Sequence, residues 1–295
     1  TSVSITWSFG AICKWRASSA LGGRDRSRID RRRKSFTPSD RKILPKDSSV
    51  VGAGPKRRRK ARAFPGLAGM DLAEDDRVAQ QMVNFVYLIG DRETGEAVVV
   101  DPAYDQQGIL DVLAADDMRL VGALGTHYHA DHVGGSLGGM AQITGIAELL
   151  ELVDVPIHVQ ADEAEWIGKT TPVAAEELTT HRSGDVVMVG EIPITLIHTP
   201  GHTPGSQCFL VDGKALVSGD TLFLDGCGRT DLPGSDPEQM YLSLTQRLAQ
   251  VPDDVQLFPG HLYSEKPSAS MAETRRRNVV FRPDSLEQWM MMFAR

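Results

Sequence analysis

THYHADH, residues 126–132, places three of the chain's eight histidines and one aspartate within seven consecutive positions. An apolar run precedes it and predicts a strand that ends where this stretch begins. Because residues two apart in extended chain point the same way, His127 and His129 aim at one point beyond the strand end. Asp131 and His132 follow where the chain turns and face a second point nearby. Imidazole and carboxylate are usual ligands of zinc-like ions, so the spacing predicts a metal site.

Three further candidate ligands each follow a predicted strand and a glycine. His202 lies in HTPGHTPG, Asp220 in SGDT and His261 in PGH. Glycine has no Cβ and therefore allows the sharp turn and close backbone approach that direct such a side chain inward. The candidate metal ligands are thus His127, His129, Asp131, His132, His202, Asp220 and His261.

The hydrophobic pattern becomes regular from Gln80 onward. Alternating or short apolar runs predict strands at 80–90, 96–102, 120–124, 156–159, 186–188, 192–198, 207–211, 215–218 and 256–258. Helical spacing predicts helices at 105–118, 143–152, 162–168 and 237–249, with two more at the end. Since the strands come in consecutive groups with helices between the groups, we expect an α+β fold of two packed sheets with helices outside.

Charge divides the chain into two parts. Residues 1–66 carry 18 Lys and Arg against four Asp, a net charge of +14, whereas the remainder has a net charge of −21, and the two add to the chain's −7. The basic segment lacks hydrophobic periodicity, which is typical of a disordered tail. We therefore expect a basic N-terminal extension over residues 1–69 and a catalytic domain over residues 70–295.

Three interpretations of the extension remain open. It begins with Thr, while Met70 stands directly before the patterned sequence, which favours an upstream segment outside the native product. An Arg- and Ser-rich targeting peptide is the second interpretation, and it would imply an organelle. A basic arm for nuclear import or nucleic acid is the third.

Cysteine content and hydropathy indicate the compartment. Cys13, Cys208 and Cys227 are too few and too scattered for a disulfide framework, which favours a reducing compartment. The sequence contains no run of about 18 apolar residues, the length that a membrane-spanning helix needs. We therefore expect a cytoplasmic protein without a membrane partner.

The motifs HxHxDH, GHTPG, SGDTLF and PGH, in this order, resemble the metallo-β-lactamase-fold superfamily over Gln80 to Arg282. The resemblance implies a four-layer αββα sandwich with metals at one edge between the sheets. It also implies two divalent ions, zinc by preference with iron or manganese as alternatives. One ion would be held by His127, His129 and His202, the other by Asp131, His132 and His261, with Asp220 bridging.

Within the superfamily the chain resembles hydroxyacylglutathione hydrolases of the glyoxalase II type and persulfide dioxygenases. The loop FLDGCGRTD, residues 223–231, is similar to a loop that supplies a basic glutathione contact in both groups, here Arg229. Tyr263 matches a further thiol-substrate contact. Thr230-Asp231 and the short C-terminal region look more like the dioxygenases.

The favoured function is hydrolysis of a thioester, of the glutathione-thioester kind, by a metal-activated water with Asp131 and Asp220 as catalytic carboxylates. The alternative is a persulfide dioxygenase with a single ferrous iron on His127, His202 and Asp220. A β-lactamase is disfavoured because no Cys occupies a ligand position, and a nuclease because a charge of −21 repels nucleic acid. A lactonase of the same superfamily is a further, less favoured alternative. The expected partner is a small thiol-derived substrate.

Overall fold

The computed structural model describes residues 61–294, with side chains from residue 66. The first sheet has six strands, in the spatial order β1 (Ala61–Leu67), β2 (Phe85–Asp91), β3 (Glu96–Val100), β4 (Arg119–Leu124), β7 (Ile157–Gln160) and β8 (Thr179–His181). The second sheet has the order β14 (Ala269–Ser270), β13 (Gln256–Pro259), β12 (Ala215–Gly219), β11 (Gln207–Val211), β10 (Ile192–His198) and β9 (Val186–Val189). A separate hairpin consists of β5 (Gly135–Leu137) and β6 (Ala141–Ile143).

Helices cover the outer faces of both sheets. The α-helices are α1 (Arg77–Met82), α2 (Gln106–Ala115), α3 (Ala130–Val133), α4 (Ile146–Leu152), α5 (Ala164–Thr170), α6 (Pro237–Leu242), α7 (Met271–Arg277) and α8 (Leu286–Phe293). Tighter or wider helical turns lie at Ala68–Leu72, Ala161–Glu163, Ala175–Glu177, Ser243–Arg247, Leu248–Gln250 and Val279–Phe281. Among residues 61–294 no helix combines the length and hydropathy that crossing a bilayer requires.

Strand β2 explains how the layers are held together, because every one of its residues is buried. Alternate side chains of a strand point to opposite faces. Phe85 and Tyr87 therefore enter the core between the sheets, where they join residues such as Phe209 of the second sheet. Val86 and Leu88 face the other way and join the core beneath the helices.

The second sheet repeats this arrangement. Leu216 and Leu257 leave its outer face and pack with Met240 and the fully buried Trp289 of helices α6 and α8. The molecule thus has three apolar layers, between helices and sheet, between the two sheets, and between sheet and helices. The expected αββα sandwich of class α+β is confirmed.

The strands and helices predicted between residues 80 and 258 are present, but the strand expected over 80–90 began too early: residues 80–82 end helix α1, and β2 starts at Phe85. The domain boundary expected at residue 70 is corrected, because β1 (Ala61–Leu67) pairs along its length with β2 in antiparallel register. Its backbone hydrogen bonds to β2 make it part of the first sheet. The rest of the expected extension, residues 1–60, lies outside the described residues.

Candidate metal centre

The seven candidate ligands lie in loops at one edge of the two sheets. Residues 126–132 follow β4, and His202 follows β10. Asp220 directly follows β12, and His261 is the second residue after β13. The isolated bridge between Asn84 and His261 joins the first sheet to the second at this edge. Because the strands of both sheets end here, their loops bring together residues far apart in the sequence.

The first group of ligand atoms comes from three histidines. Nδ1 of His129 lies 3.0 Å from Nε2 of His127 and 3.0 Å from Nε2 of His202. The three rings meet edge to face with centroids 4.7–4.8 Å apart. Three ring nitrogens directed at one point are the arrangement that holds a zinc-like ion.

The second group contains Asp131, His132 and His261. Nε2 of His132 lies 3.2 Å from Nε2 of His261, and Oδ2 of Asp131 lies 3.5 Å from each of these nitrogens. All three residues are buried. Two nitrogens and one carboxylate oxygen thus form a second set of donors beside the first.

Asp220 stands between the two groups. Its Oδ2 lies 3.6 Å from Nε2 of His202 and 3.3 Å from Nε2 of His261, and its Oδ1 lies 3.5 Å from Nε2 of His132. Oδ1 is buried but has no hydrogen-bond partner. An unsatisfied buried carboxylate oxygen is costly, and cations on either side would satisfy it. The donor set therefore fits a pair of divalent ions with a bridging carboxylate.

The outer nitrogens of the histidines support this arrangement. Nδ1 of His202 donates to the backbone carbonyl of Arg229 at 2.8 Å, and Nδ1 of His261 donates to the carbonyl of Met82 at 2.6 Å. A carbonyl oxygen can only accept, so in each neutral ring the proton is on Nδ1 and the lone pair on Nε2 faces the site. Such outer contacts fix the orientation of a metal-binding imidazole.

Asp101, which the sequence interpretation missed, holds the third such imidazole. Its Oδ2 lies 2.9 Å from Nδ1 of His132 and accepts from Oγ1 of Thr126 at 2.7 Å, while Oδ1 accepts from the Thr126 N–H. Asp101 has a φ of 53°, an uncommon backbone conformation for a residue other than glycine. A signal was present, because Asp101 lies at the end of the strand predicted over 96–102, and in the structure it directly follows β3 as Asp220 follows β12.

Asn84 and Glu163 were also missed, and no local pattern marks them. Nδ2 of Asn84 donates to Oδ2 of Asp131 at 3.0 Å, and Oδ1 of Asn84 accepts from the hydroxyl of Tyr104. Glu163 is 1% exposed, and its burial raises its pKa to about 7 although it accepts several hydrogen bonds. Both residues support ligands from a distance in sequence.

Electrostatics differ between the two groups of ligands. Burial, and then the neighbouring His132, lower the pKa of His127 well below its usual range. Burial and His202 lower the pKa of His129 to about 3. These imidazoles are therefore neutral near pH 7 and have lone pairs available for a cation.

The second group is charged. Burial opposes the protonation of His132, but Asp131, Asp220 and Asp101 outweigh it and raise its pKa to about 10. Burial would raise the pKa of Asp220, but His261 and His132 lower it well below its usual range. A cation bound here has to displace a proton from His132, so its binding releases protons.

The site opens into a cavity of about 730 Å³. His129, Asp220 and His261 lie at its floor, and both expected substrate contacts line it. Arg229 lies on the rim, but its Nε and Nη2 donate to Asp231 at 2.8 and 2.7 Å. Tyr263 is half exposed and stacks on His261 with the ring centroids 4.7 Å apart.

The αββα sandwich and the clustered histidines and carboxylates place the chain in a class of proteins that bind metal ions at the edge of two packed sheets. The sequence model of the metallo-beta-lactamase superfamily matches residues 80–261, and the chain belongs to that superfamily. The match begins before β2 and ends at His261, so it spans every candidate ligand.

Relatives within the superfamily differ in activity. The probable polyketide biosynthesis zinc-dependent hydrolase BaeB of Bacillus velezensis is 31% identical over 212 residues, 72% of this chain and 87% of that protein. The hydroxyacylglutathione hydrolase of Shewanella halifaxensis is 36% identical over 183 residues, 61% of this chain and 62% of that protein. The crystal structure of ETHE1 from Myxococcus xanthus has a TM-score of 0.61 and 31% identity, covering 72% of this chain and 86% of that one. ETHE1 of Bos taurus is a persulfide dioxygenase.

Proposed function

We propose that the chain is a hydrolase that uses two divalent metal ions to cleave a thioester of a small thiol such as glutathione. The observation that carries the proposal is the position of Asp220 between two complete groups of donors, with a buried oxygen that has no other partner. A site for a single ion needs only one of these groups. Seven inward-facing donors favour two ions.

Two divalent ions supply an activated water near neutral pH and a charge that stabilises the developing oxyanion. The chain's own residues hold and orient the reactants. Asp131 is fixed by Asn84 and can accept a hydrogen bond from a water at the floor of the cavity. Tyr263 places its hydroxyl at the cavity wall, where it can donate to the substrate.

A thioester is a suitable substrate because the described residues at the cavity floor include no strong acid to protonate a leaving group. A thiolate is a good leaving group and does not need protonation by the enzyme before it departs. Cys227 also lines the cavity, but burial raises its pKa to about 12, so its thiol stays protonated and is a poor nucleophile. An activated water is therefore the nucleophile that this site favours. The similarity to a hydroxyacylglutathione hydrolase supports the thioester as substrate.

Persulfide oxidation is the second candidate. The similarity to ETHE1 covers 86% of that chain, whereas the hydrolase of Shewanella halifaxensis is covered over only 62%. His127, His202 and Asp220 would hold one ferrous iron in that case. Both activities need a small thiol-derived substrate, and both give Arg229 a substrate carboxylate to bind.

The test assays both reactions on the same protein. Enzyme loaded with zinc and, separately, with ferrous iron is given a 2-hydroxyacylglutathione and glutathione persulfide, with thiol release and oxygen uptake as readouts. We expect thiol release with the zinc-loaded enzyme and its loss in Asp220→Ala. Oxygen uptake by the iron-loaded enzyme, without thioester cleavage by either form, would overturn the proposal in favour of the dioxygenase.

A further inference from the structure

The cavity above the metal centre is larger than the ligand groups require, and its upper wall is apolar. Leu137 and Met140 come from the β5–β6 hairpin, Phe223 from the loop after Asp220, and Leu232 from the loop after Arg229. These apolar side chains come from two separate segments, the hairpin and the connection between β12 and α6, and line one space. That space continues directly to the floor where the reaction would take place.

Met140 is the most unusual member of this wall. It is 85% exposed, which is a high value for a large apolar side chain at the mouth of a cavity. Single exposed apolar residues are common on protein surfaces. Met140, however, lies beside Leu137 in the same hairpin and lines the same cavity, so a ligand there would cover part of its surface.

The backbone is tightly packed at the base of the hairpin, whereas its tip has open space around it. A Cβ on Gly145 would lie 2.1 Å from the carbonyl oxygen of Val133, and one on Gly135 would lie 2.1 Å from that of Thr170. The backbones at the base are thus packed against each other. At the tip, a Cβ on Gly139 would meet no atom within 4 Å. The tip therefore leaves space for ligands of different length, while the base is held by close backbone packing.

Charge in the cavity does not favour a second anionic group on the substrate. Among the described residues that line it, Arg229 is the one with a cationic Lys or Arg side chain, and its guanidinium is engaged by Asp231. Asp225 adds a carboxylate to the same wall. An uncharged group therefore suits the part of the cavity beside the hairpin.

We propose that the hairpin wall is a subsite for an apolar acyl chain, with Met140 and Leu137 covering the chain while its thioester carbonyl lies at the metal centre. The inference rests on the proposed thioester hydrolysis and names its substrate class, a thioester of a medium-length apolar acid. Flexible Met side chains fill irregular space well and suit such a role. A buried methylene contributes up to about fourfold in affinity.

Binding and hydrolysis are measured separately so that the two proposals fail separately. The binding probes are S-alkyl N-acetylcysteamine thioethers with chains of two to ten carbons, which cannot be hydrolysed, and calorimetry on the zinc-loaded full chain gives their affinity. We expect affinity to rise about twofold per added methylene, below the limit for full burial. The variants Met140→Ser and Leu137→Ser should flatten this rise.

Met291→Ser is the matched control, because Met291 is 74% exposed on α8 and lies outside the cavity lining. It should leave the rise unchanged. The subsite is overturned if the affinity of the wild type does not depend on chain length. It is also overturned if affinity rises with chain length as steeply in Met140→Ser and Leu137→Ser as in the wild type. If the zinc-loaded wild type cleaves neither S-acetyl-N-acetylcysteamine nor 2-hydroxyacylglutathione but still binds longer alkyl chains more tightly, only the proposed hydrolysis is overturned.

Discussion

The carboxylate of Glu163 accepts a hydrogen bond from the backbone N–H of Tyr128 at 2.7 Å. Tyr128 lies between His127 and His129, so this bond fixes the backbone that presents both imidazoles. The same carboxylate accepts from Oγ1 of Thr203 at 2.7 Å and from the N–H of Gly205 at 2.6 Å. One buried side chain thus connects the two loops that supply the first group of ligands.

Glu163→Gln should weaken zinc binding by about 10- to 100-fold, as is typical for residues that orient metal ligands. The amide replaces one acceptor oxygen with an N–H₂ group that faces N–H donors, so the two loops lose their common anchor. Competition with a chromogenic chelator measures the affinity. Glu165→Gln is the control, because Glu165 lies two residues further along, is 80% exposed and pairs only with Lys169 among the described contacts. Equal affinities in the two variants would contradict the role of Glu163.

Asp101→Asn should weaken the second group of ligands more than the first, because Asp101 contacts His132 directly and reaches His127 only through Thr126. Asparagine tolerates the left-handed backbone at this position, so the change removes the charge opposite His132 without adding strain. In a chelator titration of zinc-loaded protein, we expect one ion to be lost about tenfold more readily, while the affinity for the other ion changes less. Asp212→Asn is a matched control, since Asp212 also has a positive φ, of 48°, in the turn after β11. Equal weakening of both ions would contradict the assignment.

Arg229→Ala should raise KM for glutathione thioesters several-fold and leave metal content unchanged, because its guanidinium lies on the cavity rim rather than among the ligands. Asp231→Ala should lower KM for the same substrates, since Asp231 competes with a substrate carboxylate for the guanidinium. Steady-state kinetics with glutathione and N-acetylcysteamine thioesters measure both effects. If Asp231→Ala raises KM for both substrates alike, Arg229 does not bind a carboxylate.

The pair His158 and His181 makes stability depend on pH. Nδ1 of His158 lies 2.9 Å from Nε2 of His181, and burial followed by His181 lowers the pKa of His158 to about 4. The unfolded chain binds a proton near pH 6.5 and the folded chain does not, so the free energy of unfolding falls as pH falls from 6.5 toward 4. We expect the difference between wild type and His158→Gln to fall by about 1 kcal/mol between pH 7 and pH 5, allowing for solvent screening.

Urea unfolding in the presence of a chelator measures this difference without interference from metal binding. Titrating groups that the two proteins share cancel in the comparison. A difference that stays constant between pH 7 and pH 5 would show that His158 titrates normally in the folded state. The structure brings the two histidines together across the neighbouring strands β7 and β8.

The ligand loops could be predicted because their signals are local. A short apolar run predicted the strand before His127, the spacing of two residues directed His127 and His129 together, and glycines marked the turns before His202, Asp220 and His261. The layered architecture followed from the grouping of the strands. Each of these inferences needs only a few neighbouring residues.

Contacts between distant segments could not be predicted in the same way. Glu163 and Tyr128 are 35 positions apart, and Asn84 and Asp131 are 47 positions apart. The hairpin around Gly138 was missed because its short strands sit among glycines and carry little apolar alternation. Arg229 was expected to be available for the substrate, and only the structure shows its bidentate contact with Asp231.

The most direct test of the two-ion centre is the number and identity of metal ions per chain, measured by elemental analysis of wild type and Asp220→Ala purified without added metal or chelator. We expect about two zinc-like ions in the wild type, as in dinuclear hydrolase sites, and fewer than one in the variant. One iron per chain in the wild type, or two ions retained by Asp220→Ala, would contradict a dinuclear centre held together by Asp220.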